Sequence, residues 1–216
     1  RLVLHPHDSS LKLLNTFEEK AERLKAQGVQ HLVRIPFTKE FSQLSSEEFI
    51  TRILVQTIGT KKLVIGHDHH FGKNREGSFE QLKQNASTYG FDVEEIPRQD
   101  VDHIGVSSSK IRKALEAGDI ETATHFLGNP YSITGRVVVG DKLGRILGFP
   151  TANIFLHRAM TPLMGIYTVL VHGLADHPLP GAANLGMRPT VDGTRTLLEV
   201  HLLDFNQEIY GRYVEV

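Results

Sequence analysis

Over its first 128 residues the chain alternates short apolar runs with segments whose apolar residues recur at helical spacing. Leu2-Val3-Leu4 reads as a strand already under way. Thr16-Phe17-Glu18-Glu19 sets Thr three residues ahead of Glu, the spacing of a capping box, and predicts a helix with Leu24 on its apolar side, ending near Gly28. His31 to Pro36 reads as a strand, Ser45 to Ile58 as a helix with Phe49, Ile50, Ile53 and Leu54 apolar, and Leu63 to Gly66 as a buried strand. Phe79 to Gly90 predicts a helix and Val93 to Ile96 a strand. Two capped helices follow: Ser109 to Leu115, closed by Gly118, and Ile120 to Leu127, closed by Gly128. Strands alternating with helices predict a parallel, doubly wound sheet with helices on both faces.

At Gly128-Asn129-Pro130 the pattern changes. Tyr131 to Val139, Ile166 to His172, Leu197 to Asp204 and Glu208 to Val216 read as strands between Gly- and Pro-rich turns, which predicts a small antiparallel barrel. The fold class is therefore α/β plus β, with domains at 1–128 and 129–216 that should be separable at this hinge. A length of 216 residues, at about 150 per domain, allows one large or two small domains and leaves the choice to the pattern.

Composition narrows the chemistry. Twenty-four Lys and Arg against 25 Asp and Glu leave no global field to attract nucleic acid or an anionic membrane, so any polyanion must bind locally. The absence of cysteine excludes disulfides, Fe–S clusters and thiol catalysis and fits a reducing, cytoplasmic setting. No apolar run reaches the roughly 20 residues that span a bilayer. Arg1 is not an initiator Met, and Tyr213 to Val216 stops in mid-alternation, so both domains are expected to be incomplete at their outer ends.

Three segments could carry chemistry. Gly66-His67-Asp68-His69-His70-Phe71-Gly72-Lys73-Asn74-Arg75 directly follows a buried strand, where open α/β sheets bind ligands. It admits a metal site, a solvated loop or a ligand-contacting loop. The last is preferred, with Asp68 as an acceptor, Phe71 as an apolar wall and Arg75 available for phosphate. Ser107-Ser108-Ser109-Lys110-Ile111-Arg112 opens a helix, so its N–H groups with Ser108 and Arg112 could hold an anion, although helix capping alone explains one Ser. The loop from Gly140 through Gly144 to Gly148 could form a backbone anion nest. There Lys142 or Arg145 would neutralise phosphate, and the Thr151 hydroxyl and Asn153 carbonyl offer hard oxygen ligands for magnesium. In Leu197 to Leu203 the period of two puts Leu198, Val200 and Leu202 on one face and Leu197, Glu199, His201 and Leu203 on the other. Glu199, between Leu197 and Leu203 on the partly apolar face, is the carboxylate best placed to serve as a general base, although parity alone favours a plain solvent-facing strand Glu.

These segments, in this order, resemble the bacterial bifunctional riboflavin kinase/FMN adenylyltransferases, or FAD synthetases. The second half carries GRVVVGDKLGRILGFPTANI, GIYTVLV, ANLGMRPTV and LLEVHLLDF with a later IYG, and the first half carries HPH, GHDHHFGKNREG and VSSSKIR. The resemblance implies a Rossmann-like nucleotidyltransferase domain followed by a split β-barrel kinase domain. It implies phosphorylation of riboflavin by ATP to FMN and adenylylation of FMN to FAD with release of pyrophosphate, both with Mg2+. Carried over, Thr151 and Asn153 hold magnesium and ATP phosphates. Gly140, Lys142, Gly144, Arg145 and Gly148 cover the nucleotide, and Glu199 is the base. Asp68, with Phe71 and Arg75, falls in the flavin-side loop, and Ser108 and Arg112 meet nucleotide phosphates. The family's H-x-G-H signature and its C-terminal helical segment do not occur in these 216 residues. A riboflavin kinase with a degenerate adenylyltransferase domain is one alternative. A non-catalytic flavin or nucleotide carrier is another, disfavoured because a carrier needs neither base nor magnesium. Neither partners among nucleic acids or membranes nor an oligomeric state is implied.

Overall fold

The computed structural model describes residues 12–98, 100–140, 144, 148–158, 160–190 and 193–216. The opening strand expected at Leu2 to Leu4 lies outside them, as do Lys142 and Arg145. The chain divides into two compact units, one formed by 1–9 and 33–105 and the other by 10–32 and 106–216.

In the first unit, Ser46–Glu48 and the run Phe49–Ile58 form one helical segment, α2. The Ser45 hydroxyl accepts from the Glu48 N–H, and the Glu48 carboxylate accepts from the Ser45 N–H at 2.9 Å, which closes a capping box. That backbone hydrogen bond is the main reason the Glu48 carboxyl is held below its ordinary range. From Phe49 onward the turns widen to those of a π-helix, and the run ends at Gly59 in the left-handed region, φ 71°. Strand β1 (Lys62–Gly66) pairs in parallel with β2 (Asp92–Ile96), Lys62 opposite Asp92 and Gly66 opposite Ile96. Parallel neighbours need a crossover, and α3 (Phe79–Tyr89), capped by Ser78, supplies it. Ile50, Leu54, Ile65, Phe71, Leu82 and Phe91 make this unit's core. A short hairpin follows, β3 (Asp100–Val101) and β4 (Ile104–Gly105), turning through Asp102 and His103, both at positive φ.

Among the described residues the parallel sheet has these two strands only, fewer than the doubly wound sheet expected. The strand expected at His31 to Pro36 is not formed. Leu32, Val33 and Ile35 are exposed and no described strand pairs with them, so β-propensity there has no neighbouring backbone to act upon.

The second unit combines helices with a curled antiparallel sheet, which has six strands among the described residues. Strands β5 (Thr134–Val138), β6 (Ala152–Phe155), β7 (Gly165–Val171), β8 (Leu179–Thr190), β9 (Gly193–Leu202) and β10 (Tyr213–Glu215) lie in the order β10-β5-β6-β9-β8-β7, antiparallel throughout. The two ends of the sheet meet at a bridge between His172 and Glu215. β6 and β8 were not expected. β6 is only four residues long, and β8 carries Pro180, Gly181 and Pro189, which read locally as turn chemistry. Buried side chains from all six strands, including Val137, Ile154, Leu198 and Val200, fill the interior. Helices α4 (Ser108–Glu116) and α5 (Ile120–Leu127) bury Ile111, Ala114, Leu115 and Ala123 together with Leu14 and Leu163.

Helix α1 (Phe17–Ala26) opens on the expected capping box, Thr16 N–H to Glu19 at 2.8 Å and Glu19 N–H to Thr16 at 3.2 Å. Its one buried residue is Glu19 rather than an apolar side chain. Arg158, in the loop after β6, donates through Nη2 to both Glu19 carboxylate oxygens. Glu19 Oε1 also accepts from the Thr134 N–H at 2.8 Å and the Thr134 hydroxyl at 3.0 Å. The other Arg158 terminal nitrogen donates to the Leu14 carbonyl at 2.8 Å and to the Tyr131 hydroxyl at 3.3 Å, and Tyr131 donates to that same carbonyl at 3.0 Å. The pair is essentially dry, with side-chain exposures of 0% and 3%. α1 is thus fixed to the start of β5 and to the loop after β6 by charge rather than by apolar packing.

Removing one member of such a pair strands the other charge, at a cost of about 3–5 kcal/mol. Arg158→Met and Glu19→Leu are each expected to lower unfolding free energy in urea by that order, and the double variant by less than their sum. Additive losses would show that the two side chains are not coupled. Burial pushes the Tyr131 phenol above its ordinary value, outweighing the nearby Arg158 guanidinium. The folded chain therefore holds that proton more tightly than the unfolded one. The resulting stability is present below pH about 10 and is lost as pH rises through the folded-state value. Tyr131→Phe should make the alkaline loss of melting temperature shallower, measured across pH 9 to 12.

Candidate functional site

Adjacent rows of the barrel sheet do different work. Val137, Ile154, Leu198 and Leu185 stand opposite one another on β5, β6, β9 and β8, and all four are buried in the barrel interior. One residue along each strand, Val138, Asn153, Glu199 and Asn184 form the neighbouring row, which the pleat turns to the other face. The period-two reading of β9 holds: Leu198, Val200 and Leu202 are buried, and Glu199 and His201 are half-buried on the opposite face. Asn184 was not singled out from the sequence, because its relation to Glu199 exists only through the β8–β9 register.

The glycine loop lies against this row. A Cβ on Gly140 would sit 2.3 Å from Asn153 Nδ2, so the loop backbone presses on the Asn153 amide and leaves that side chain 9% exposed. Gly144 accepts at its carbonyl from the Phe149 N–H at 2.8 Å, and a Cβ there would come within 3.4 Å of Thr151 Oγ1. Gly148, at φ 83°, makes the left-handed turn that brings the chain back to Pro150 and Thr151. The structure thus gathers Gly140, Gly144, Gly148, Thr151, Asn153 and Glu199 around the junction of β6 and β9. Lys142 and Arg145 are outside the described residues.

A cavity of about 570 Å³ opens beside Thr151, between Gly148, Pro150 and the turn carrying Phe205, Glu208 and Tyr210. The same unit has a second, mainly apolar cavity of about 820 Å³ bordered by Tyr131, Leu163, Tyr167 and Leu170. The donor set of Thr151 hydroxyl, Asn153 amide oxygen and Glu199 carboxylate suits a small hard cation that also takes phosphate and water oxygens. No cluster of three or more His, Cys, Asp or Glu side chains suited to a metal occurs among the described residues.

The first-half candidates belong to two compact units. Asp68 and Arg75 are exposed in the loop after β1, and Asn74 and Arg75 both adopt left-handed backbone, φ 56° and 61°. Phe71, read as the apolar wall of that loop, instead packs into the core against Phe49, at a ring distance of 5.6 Å. His69 stacks on Phe71, and His70 Nδ1 lies 3.2 Å from the Gly77 carbonyl. Ser108 and Arg112 belong to the other compact unit. Ser108 is the exposed first residue of α4, whose cap is Ser107, and Arg112 Nε donates to the Lys12 carbonyl at 2.8 Å.

Comparison with known proteins gives two family matches: FAD synthetase over residues 1–110 and riboflavin kinase over residues 127–216. A bifunctional riboflavin kinase/FMN adenylyltransferase of Escherichia coli K12 is 41% identical over 215 residues, covering 100% of this chain and 69% of that protein. The enzyme of the same description from Haemophilus influenzae is 42% identical over 203 residues, covering 94% and 66%. A solved structure described as a macrolide-efflux protein from Streptococcus pneumoniae superposes with a TM-score of 0.80 at 32% identity, covering 94% of this chain and 65% of that one. The chain thus spans about two thirds of the length of these relatives. No helix among the described residues is long and apolar enough to cross a membrane.

Gly140 does not need positive φ, so Gly140→Ala tests the close approach alone. The variant is expected to displace the Asn153 amide at a cost of about 1–3 kcal/mol. The Asn153 side-chain cross-peaks in a ¹⁵N–¹H spectrum report it, and unmoved peaks would mean that the loop yields instead.

Proposed function

The chain belongs to the bifunctional riboflavin kinase/FMN adenylyltransferase family, and from that premise we propose that it phosphorylates riboflavin with ATP and then adenylylates the FMN formed, giving FAD. Residues 129–216 would carry the kinase chemistry and 1–128, in a Rossmann-like nucleotidyltransferase arrangement, the adenylyl transfer. Riboflavin, FMN and ATP are then the small-molecule partners, with neither nucleic acid nor membrane required, and the cytoplasm is the setting.

The observation that carries the kinase assignment is the row in which Asn153 and Glu199 are direct cross-strand neighbours, with Gly140 pressed on the first and Gly144 close to Thr151. Glu199 would accept the proton of the ribityl 5′-hydroxyl as its oxygen bonds to the γ-phosphorus of ATP and the bond to the ADP oxygen breaks. Thr151 and Asn153 would orient the phosphates, and the loop from Gly140 to Gly148, with Lys142 and Arg145, would cover them. Magnesium, when bound by Thr151 and Asn153, would supply neutralisation of phosphate charge.

In the second reaction the FMN phosphate oxygen would attack the α-phosphorus of ATP and pyrophosphate would leave. This step needs no base, only positioning and charge neutralisation. Ser108 and the α4 N-terminus suit a nucleotide phosphate. Arg112 would serve with the terminal guanidinium nitrogens beyond the Nε that holds Lys12. Asp68 and Arg75 remain the flavin-side candidates in their exposed loop.

Glu199→Gln is expected to reduce kinase turnover by about 10² to 10⁴ while adenylylation of supplied FMN stays near wild type. Product analysis that separates FMN from FAD checks both at once. More than half of wild-type kinase turnover would remove Glu199 from the mechanism, and FMN formation without FAD in the wild type would select the kinase-only alternative.

A further inference from the structure

On β9, His201 follows Glu199 on the same, outward face. The β6–β9 ladder ends at Ala152 opposite Val200, and Pro150, which has no N–H, cannot extend it. Beyond that last pair the connection passes to a side chain. His201 Nδ1 lies 2.9 Å from the Pro150 carbonyl oxygen. A carbonyl only accepts, so Nδ1 carries the proton in this contact. The ring also meets Phe149 edge to face, with centroids 5.6 Å apart and planes at 79°. One imidazole thus contacts both residues immediately before Thr151, just after the turn at Gly148 and beyond the last β6–β9 pair.

We infer that His201 is a positioning residue of the kinase site, one whose hydrogen bond to Pro150 sets the Thr151–Asn153 segment to receive the phosphates of the nucleotide. The inference rests on the reading of Thr151 and Asn153 as nucleotide ligands. His201 touches neither substrate nor reacting atoms in this role. It acts through the Pro150 carbonyl, and its influence belongs to nucleotide binding more than to the chemical step. Asn places an amide N–H where Nδ1 stands, Gln reaches instead toward the Nε2 position, and Leu has no donor, so the three substitutions separate the hydrogen bond from mere bulk.

The test uses the intact protein, with calorimetric titration of Mg–ADP beside steady-state kinase kinetics and FMN adenylylation as an internal control. His201→Leu should weaken Mg–ADP binding and raise the KM for ATP about tenfold, as expected for loss of one hydrogen bond to a constrained carbonyl. Its kcat and its KM for riboflavin should stay within about twofold. His201→Asn should recover most of the binding. If the Leu variant melts early, Asn against Gln carries the comparison, and Asn must bind more tightly. Equal binding by Asn and Gln, or wild-type binding by Leu, overturns the inference. Thr151→Ala separates the two levels. If it weakens Mg–ADP binding while His201→Leu does not, the positioning role alone fails. If it leaves binding intact, the nucleotide reading of this segment fails and the inference falls with it.

Discussion

Two opposite charges held out of water, Glu19 on α1 and Arg158 after β6, organise the larger unit. Neither charge can be left alone there, because each loses hydration worth several kcal/mol on burial. The cost is met by saturation of the carboxylate, which takes the guanidinium, the Thr16 N–H and both donors of Thr134. Position follows from that requirement. α1 must present its first turn to the barrel, Leu14 must offer its carbonyl to Arg158, and β5 must begin where Thr134 can reach. A buried ion pair adds little net stability over a well-packed apolar substitute, but it penalises every arrangement that separates its members. It suits a helix that has almost no apolar stripe to dock with.

The same unit sets out a polar row without disturbing its core. Because the pleat alternates faces, a row of four interior side chains and a row containing Asn153 and Glu199 run side by side across the same four strands. The interior row fixes the register, and the register in turn brings residues distant in sequence into line. Glycines then let the following loop lie close on the outward row. The segments read as adenylyltransferase chemistry are divided between units: Asp68 and Arg75 in one, Ser108 and Arg112 in the other.

What the sequence made legible was local. The Thr16–Glu19 box, the glycine-stopped helices and the alternation through Leu198, Glu199 and Val200 depend on neighbours within a few positions, and they stand as read. The misses all depend on distant partners. Glu19 was legible as a cap, but its bond to Arg158 spans 139 positions. The run from His31 to Pro36 has strand composition and no partner among the described residues. Phe71 was legible as an apolar side chain in a polar loop, but its packing on Phe49, 22 residues earlier, was not. β8 was concealed by its prolines, and with it Asn184. Of the site itself, the residue types and the outward face of Glu199 were readable. The closeness of Gly140 to Asn153 and of His201 to Pro150 was not, since each arises from register.

The alternation along β9 also sets what lengths this segment tolerates. An insertion or deletion of one residue would carry Glu199 into the hydrocarbon interior and expel Leu198, so the outward polar row and the core would be lost together. An insertion of two would restore the faces, yet it would shift the carboxylate about 6.6 Å along the strand, out of line with Asn153. Substitutions can probe single functions here, whereas any change of spacing strikes several together. Residue count within β9 is therefore as much a part of the site as residue identity.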